Sequence, residues 1–199
     1  MGVTTLAVAL ISVGGTLGGA MFSERTNRKR EEIADRQRVQ ERDDRVQQAR
    51  RDLYARVNTT ARAYRVAARD AVRATERGES VETAALETAK EAWAEEYSQA
   101  QMALPKDLSE IASALNRALG VGYSVVKQLP SNSAADAAYN RANAWFDGPL
   151  SEGVYLLRIA LRHDLGVETQ PDFETTRLQA IRTLDRARES LEHQLNSNR

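Results

Sequence analysis

Residues 20–77 read AMFSERTNRKREEIADRQRVQERDDRVQQARRDLYARVNTTARAYRVAARDAVRATER, with neither glycine nor proline. Those are the two residues that interrupt a helix, and the Arg, Glu, Gln and Ala that dominate the stretch favour one. The spacing predicts an uninterrupted helix over 23–77, about 80 Å long if straight. Its two halves differ in kind. Between Ser23 and Asp52 the large apolar residues are Ile33, Val39 and Val46. Val39, Val46 and Leu53 recur every seven residues, but Arg36, Asp43 and Arg50 occupy the core positions between them. That is half a coiled-coil seam, too little to hold a dimer alone. From Leu53 onward, Leu53, Val57, Thr60, Tyr64, Ala67, Ala71 and Ala74 follow a four-three rhythm, an apolar stripe that must pack on something. Residues 23–52 are therefore expected to form a charged juxtamembrane stalk helix, and 53–199 an α-helical bundle.

Upstream, Met1 to Ser23 (MGVTTLAVALISVGGTLGGAMFS) carries no ionisable side chain. A helix over the first 22 residues would be about 33 Å long, against a hydrocarbon core of roughly 30 Å. Arg25, Arg28, Lys29 and Arg30 follow directly. The positive-inside rule then predicts a transmembrane anchor over 1–22, with the N-terminus outside and the bulk of the chain in the cytoplasm. The four cations are the candidate membrane-lipid contacts, at about 1 kcal/mol each and less here beside Glu24, Glu31 and Glu32. Gly14, Gly15, Gly18 and Gly19 form two overlapping G-x-x-x-G pairs, a candidate packing face for a homodimer through the anchor. Three other readings compete. A cleaved signal peptide wants cations ahead of the apolar stretch, and there are none. A phosphate-binding glycine loop wants G-x-G-x-x-G and a parallel sheet, and neither is present. A buried core helix is the third. The anchor accounts best for the cations that follow.

The rest of the chain argues for an all-α protein. Of 199 residues, 42% are hydrophobic, 28% charged and 6% aromatic, which is a helix-rich profile. All eleven aromatics except Phe22 lie between Tyr54 and Phe173, which places the core there. After Gly78, Ser80 is expected to cap a helix near 81–103 that buries Val81, Ala85, Ala89, Ala92, Trp93, Ala100 and Leu104. Asp107-x-x-Glu110 reads as a capping box opening a third helix, with Leu108, Ile111, Leu115 and Leu119 inside. Gly120 and Gly122 are expected to break or end it, and Tyr123–Val126 is the nearest thing to a strand. A fourth helix is expected near 134–146. Pro149 opens a fifth, which Gly166 stops. Pro171 opens the last, with Phe173, Leu178, Ile181, Leu184, Leu191 and Leu195 inside. The fold class expected is thus an N-terminal transmembrane helix, a long charged stalk helix and a small antiparallel helical bundle.

Formal net charge is zero, but it is unevenly spread: residues 23–78 carry 16 Lys+Arg and 10 Asp+Glu, residues 79–199 carry 12 and 18. The row Arg65, Arg69, Arg73, Arg77 is expected to face Glu87, Glu91 and Glu95 across the Gly78 turn. Nucleic acid is not an expected partner, because carboxylates crowd the cations and no accessible aromatic platform stands out. No cysteine is present, which removes disulfides and thiolate chemistry. A di-iron bundle site needs Glu-x-x-His pairs, and neither His163 nor His193 has Glu three residues earlier. Glu95 and Glu96 are neighbours on one helix and point about 100° apart, so they are expected to be solvated. Asn140, Asn143, Trp145 and Asp147 are candidates to line a pocket near Pro149, although helix-end caps and a core tryptophan explain them more simply. There is no G-x-S-x-G, Walker or kinase signature. No cofactor, metal or enzymatic activity is expected. The 24 Arg against 4 Lys suit GC-rich codons and a bacterial source. The function expected is a single-pass membrane protein presenting a cytoplasmic helical bundle as a tether or protein-interaction module. The alternative is an exported or membrane-anchored extracytoplasmic bundle binding a ligand or envelope component.

Overall fold

The computed structural model describes residues 3–79, 83–129, 136–169 and 171–197, with side chains described from Ile33 onward, Thr83 excepted. Among them are six helices and no strand: α1 (Val3–Glu76), α2 (Thr83–Ala103), α3 (Lys106–Lys127), α4 (Asp136–Asp147), α5 (Pro149–Asp164) and α6 (Phe173–Ser197). The all-α expectation holds. The chain divides into two compact units, Met1–Arg50 and Arg51–Arg199.

In the first unit the side chains from Ile33 onward are almost all exposed, Val39 and Val46 by 61% and 57%. Local ion pairs, Arg38 to Asp35 at 3.4 Å and Arg45 to Glu41 at 3.8 Å, decorate the helix surface. Each such exposed pair contributes only about 0.3–0.5 kcal/mol. The expected anchor over 1–22, its glycines Gly14, Gly15, Gly18 and Gly19, and the cations Arg25, Arg28, Lys29 and Arg30 all lie outside the residues whose side chains are described. Among the described residues, no helix is long and apolar enough to cross a membrane.

In the second unit burial begins at Leu53. The stripe α1 buries is Leu53, Tyr54, Val57, Ala61, Tyr64, Ala68, Ala71 and Val72. It departs from the expected row, in that Thr60, Ala67 and Ala74 are half-buried. The reason is the period: a straight helix packs at 3.6 residues per turn, so its buried row drifts away from a strict four-three rhythm. Gly78 ends the helical run at φ +72°, with Gly78 N–H donating to Thr75 C=O and Glu79 N–H to Ala74 C=O. This Schellman turn needs a left-handed residue, hence glycine. On α2, Leu86, Trp93 and Ala100 are buried, seven apart, whereas Ala85 is exposed rather than inside.

Helix α3 packs on α2, α4, α5 and α6 and has buried residues over its whole length. Two expectations fail on it. Its N-cap is Pro105, which makes no side-chain cap hydrogen bond, and the Asp107 and Glu110 carboxylates turn instead towards Arg177 of α6. The helix also runs straight through Gly120, Gly122 and Tyr123–Val126. Gly122 is present because of a close approach, not a turn. A Cβ there would stand 3.0 Å from Phe146 Cε1 and 3.2 Å from Trp145 Nε1, so the missing side chain lets α4 seat its two largest rings against α3. Pro149 does open α5, and Gly166 ends it at φ +70° in a second Schellman turn, with Val167 N–H donating to Arg162 C=O at 3.0 Å. On α6 the buried residues are Arg177, Leu184 and Leu191, again seven apart, and Leu178 is exposed where it was expected inside.

Candidate functional site

The arginine row of α1 does not face α2. Arg65 Nη1 donates to the Phe146 carbonyl at 3.0 Å, while Arg69 and Arg73 approach Asp147 at 3.8 and 3.4 Å. Three cations thus sit at the C-terminal end of α4, where free carbonyls and the helix dipole favour positive charge. Burial, aided by neighbouring Arg69, lowers the Arg65 pKa from its ordinary value. Arg77 turns to Glu79 at 2.6 Å. The apolar stripe of α1 sets this arrangement. Arg65 and Arg69 flank Tyr64 and Ala68 on the side that α4 covers, so they cannot reach α2. Helices α1 and α2 are instead tied by Arg56, whose Nε donates to Glu96 at 3.0 Å, so Glu96 is not the solvated carboxylate expected.

Glu87 belongs to a different cluster. Its carboxylate accepts a hydrogen bond from Tyr123 Oη at 2.6 Å and faces Lys127 Nζ at 3.0 Å and Lys90 Nζ at 3.6 Å. Lys90 also lies 4.1 Å over the Tyr123 ring. The Tyr123 and Lys127 hydrogen bonds hold Glu87 below the usual carboxylate range, and Glu87 raises the Lys127 pKa. An amine kept protonated in this way is a poor nucleophile. Tyr64 of α1 lies close enough to feel the cluster, and burial is the main cause that pushes its phenol up. Alongside it, Trp93 Nε1 donates to Asn116 at 2.8 Å, and Tyr97 Oη pairs with Ser113 Oγ at 3.1 Å. The α2–α3 interface is therefore a polar ladder around a tryptophan.

The expected pocket residues separate. Asn143 donates to Glu76 at 3.3 Å and Asp147 takes the α1 arginines. Trp145 is buried, and of the four expected residues it alone lines the 290 Å³ recess beside Pro149. His163 stacks on Phe173 with ring centroids 4.4 Å apart. No group of three potential metal ligands occurs among the described residues.

The arrangement that sequence reasoning missed lies on α6. Arg177 is 3% exposed. Its Nε and Nη2 grip Glu174 at 2.9 and 2.5 Å, its Nη1 donates to Glu110 at 2.7 Å, and Asp107 stands 3.6 Å away. Stepping back seven residues from Leu191 through Leu184 leads to Arg177, a signal that was legible. With Arg177 inward, Leu178 points out at 38% exposure and borders a groove of about 660 Å³. Leu104, Lys106, Ser109 and Ser113 line it on the α3 side, Ile181 and Arg182 on the α6 side.

No family model matches this chain, and no curated protein or solved structure is significantly similar to it.

Proposed function

We propose that this chain is a membrane-tethered interaction module, anchored by residues 1–22 and presenting the Arg51–Arg199 bundle to the cytoplasm. The observation that carries the reading is the abrupt change at Ser23. Twenty-three residues without an ionisable side chain give way to Arg25, Arg28, Lys29 and Arg30, the order that retains the following segment on the cytoplasmic side. The charged segment 23–52 links anchor to bundle. Two features support a binding role for the bundle. Arg177 is engaged in an ion cluster and Arg65 at a helix end rather than in a cavity, and a groove edged by Leu104, Leu178 and Ile181 opens between α3 and α6.

The test is membrane fractionation of the full chain with protease protection of a C-terminal tag in intact cells. A tag in the membrane pellet and protected supports the proposal. Digestion of the tag from outside places the bundle on the far side, and recovery in the soluble fraction removes the anchor.

A further inference from the structure

We infer that the groove between α3 and α6 docks an amphipathic helix of a partner protein, one that carries aliphatic residues along one face and acidic residues beside them. This rests on reading the bundle as an interaction module, though not on the anchor. The first argument is the exchange at Arg177 and Leu178. A helix register that buries an arginine and exposes the adjacent leucine runs against the hydrophobic pattern, and such local conflicts concentrate where a surface has work to do. Leu178 is one of four large apolar side chains exposed among the described residues of the second unit, at 38%, and it borders the groove.

The second argument is shape. On α3 the lining runs from Lys106 through Ser109 and Ser113 to Arg117, about 16 Å along the helix at 1.5 Å per residue. The α6 wall, from Leu178 to Arg182, is about 6 Å long, so a docked helix meets α3 over three turns and both walls over one, with anchors at i and i+3 or i+4 between them. The groove is open to solvent along its length, which suits a helix laid on a surface better than a small molecule that must be enclosed.

The third argument is charge. The acid in the lining, Glu110, is held by Arg177, and the lining cation Arg117 is held by Asp185 at 3.1 Å. Lys106 and Arg182 have no ion-pair partner among the described residues. The uncommitted charges at the rim are therefore positive, and an acidic flank on the occupant matches them.

The test uses the full chain in detergent micelles and a dye-labelled 16-residue helical peptide with leucines at i, i+3 and i+7 flanked by glutamates. A second peptide carries lysines in place of the glutamates. Fluorescence anisotropy should show the glutamate peptide binding at least tenfold more tightly than the lysine peptide. Leu178→Asp, a change at an exposed position, should weaken binding tenfold or more with tryptophan fluorescence unchanged. Lys106→Glu with Arg182→Glu should reverse the preference between the peptides. Equal affinity for both peptides, or binding unchanged by these variants, overturns the inference. So does concentration-dependent self-association lost in Leu178→Asp, which would make a second copy the occupant. These readouts do not involve the membrane, so failure here leaves the anchoring result standing, and the reverse.

Discussion

Replacing Arg177 by methionine keeps most of the side-chain volume and removes the charge. The consequence follows from who is left behind. The interhelical hydrogen bond to Glu110, at 2.7 Å, joins a side chain 4% exposed to one 43% exposed. Such a charged bond contributes about 1.5–3 kcal/mol. The two hydrogen bonds to Glu174 hold the same buried guanidinium from its own helix, although Glu174 itself is 62% exposed. Glu110, Glu174 and Asp107 all reach solvent, so their carboxylates rehydrate once Arg177 is gone, and the loss stays below the 3–5 kcal/mol seen when a fully buried charge is orphaned. The net expectation is about 2 kcal/mol. With an m-value near 2 kcal/mol/M this lowers the urea midpoint by about 1 M. The assay is urea unfolding of the full chain in detergent followed by tryptophan fluorescence, because Trp93 and Trp145 are both buried in the bundle and report on it alone. The effect depends on pH. The Arg177 hydrogen bond depresses the folded pKa of Glu174 below its ordinary 4.5. A depressed carboxylate contributes its stability fully above the unfolded pKa and loses it as pH falls through the folded one. The gap between wild type and Arg177→Met should therefore narrow as pH drops below 4.5. A midpoint shift under about 0.2 M, or a gap that does not change from pH 7 to pH 3, refutes the reasoning.

Other expectations are simpler. Gly122→Ala places a methyl 3.0 Å from the Phe146 ring and should destabilise the bundle by about 1–3 kcal/mol in the same urea assay. Gly78→Ala and Gly166→Ala each put a Cβ on a residue at positive φ, with nothing crowding it, so each should cost about 1 kcal/mol by thermal or urea midpoint. Val39→Gln with Val46→Gln, both exposed, should change bundle stability by less than about 0.5 kcal/mol. A larger loss would mean that the half-seam has a packing partner. Changing Arg25, Arg28, Lys29 and Arg30 together to glutamate should invert or scramble orientation in the protease-protection assay. An unchanged digest would remove their assigned role.

Much of the fold could be read from the sequence because the strongest signals were local. The run without glycine or proline from residue 20 to residue 77, the proline at 149 and the turns at Gly78 and Gly166 each act within a few residues of themselves, and the helix boundaries follow them. The misses share one cause. Gly122 reads as a helix stop until Phe146 and Trp145 are brought against it. Asp107 and Glu110 read as a capping box until Arg177 arrives from seventy residues away. The Arg65 row reads as facing Glu87 and its neighbours because they are nearest in sequence, whereas the end of α4 is nearest in space. In each case a tertiary partner outbid the local rule. The groove was hidden for the same reason, since Leu178 fits an apolar periodicity unless the seven-residue step from Leu191 and Leu184 to Arg177 is taken seriously.

That step also explains why the groove has a defined shape. Leu184 and Leu191 fill apolar positions on α6, and their packing is non-directional. Arg177 is different. Its Nη1 must find Glu110 on α3, and sliding α6 by one turn, about 5.4 Å, would bury a guanidinium without that partner. The ion cluster therefore selects one register between α3 and α6. In that register Leu178, Ile181 and Arg182 come opposite Ser109, Ser113 and Lys106 across the groove. If so, Arg177→Met loosens the groove as well as the fold. In dilute buffer, where the variant remains folded, its affinity for the glutamate peptide should fall although Arg177 itself does not line the surface. An affinity equal to wild type would show that apolar packing and the Arg117–Asp185 pair hold the two helices in register without Arg177.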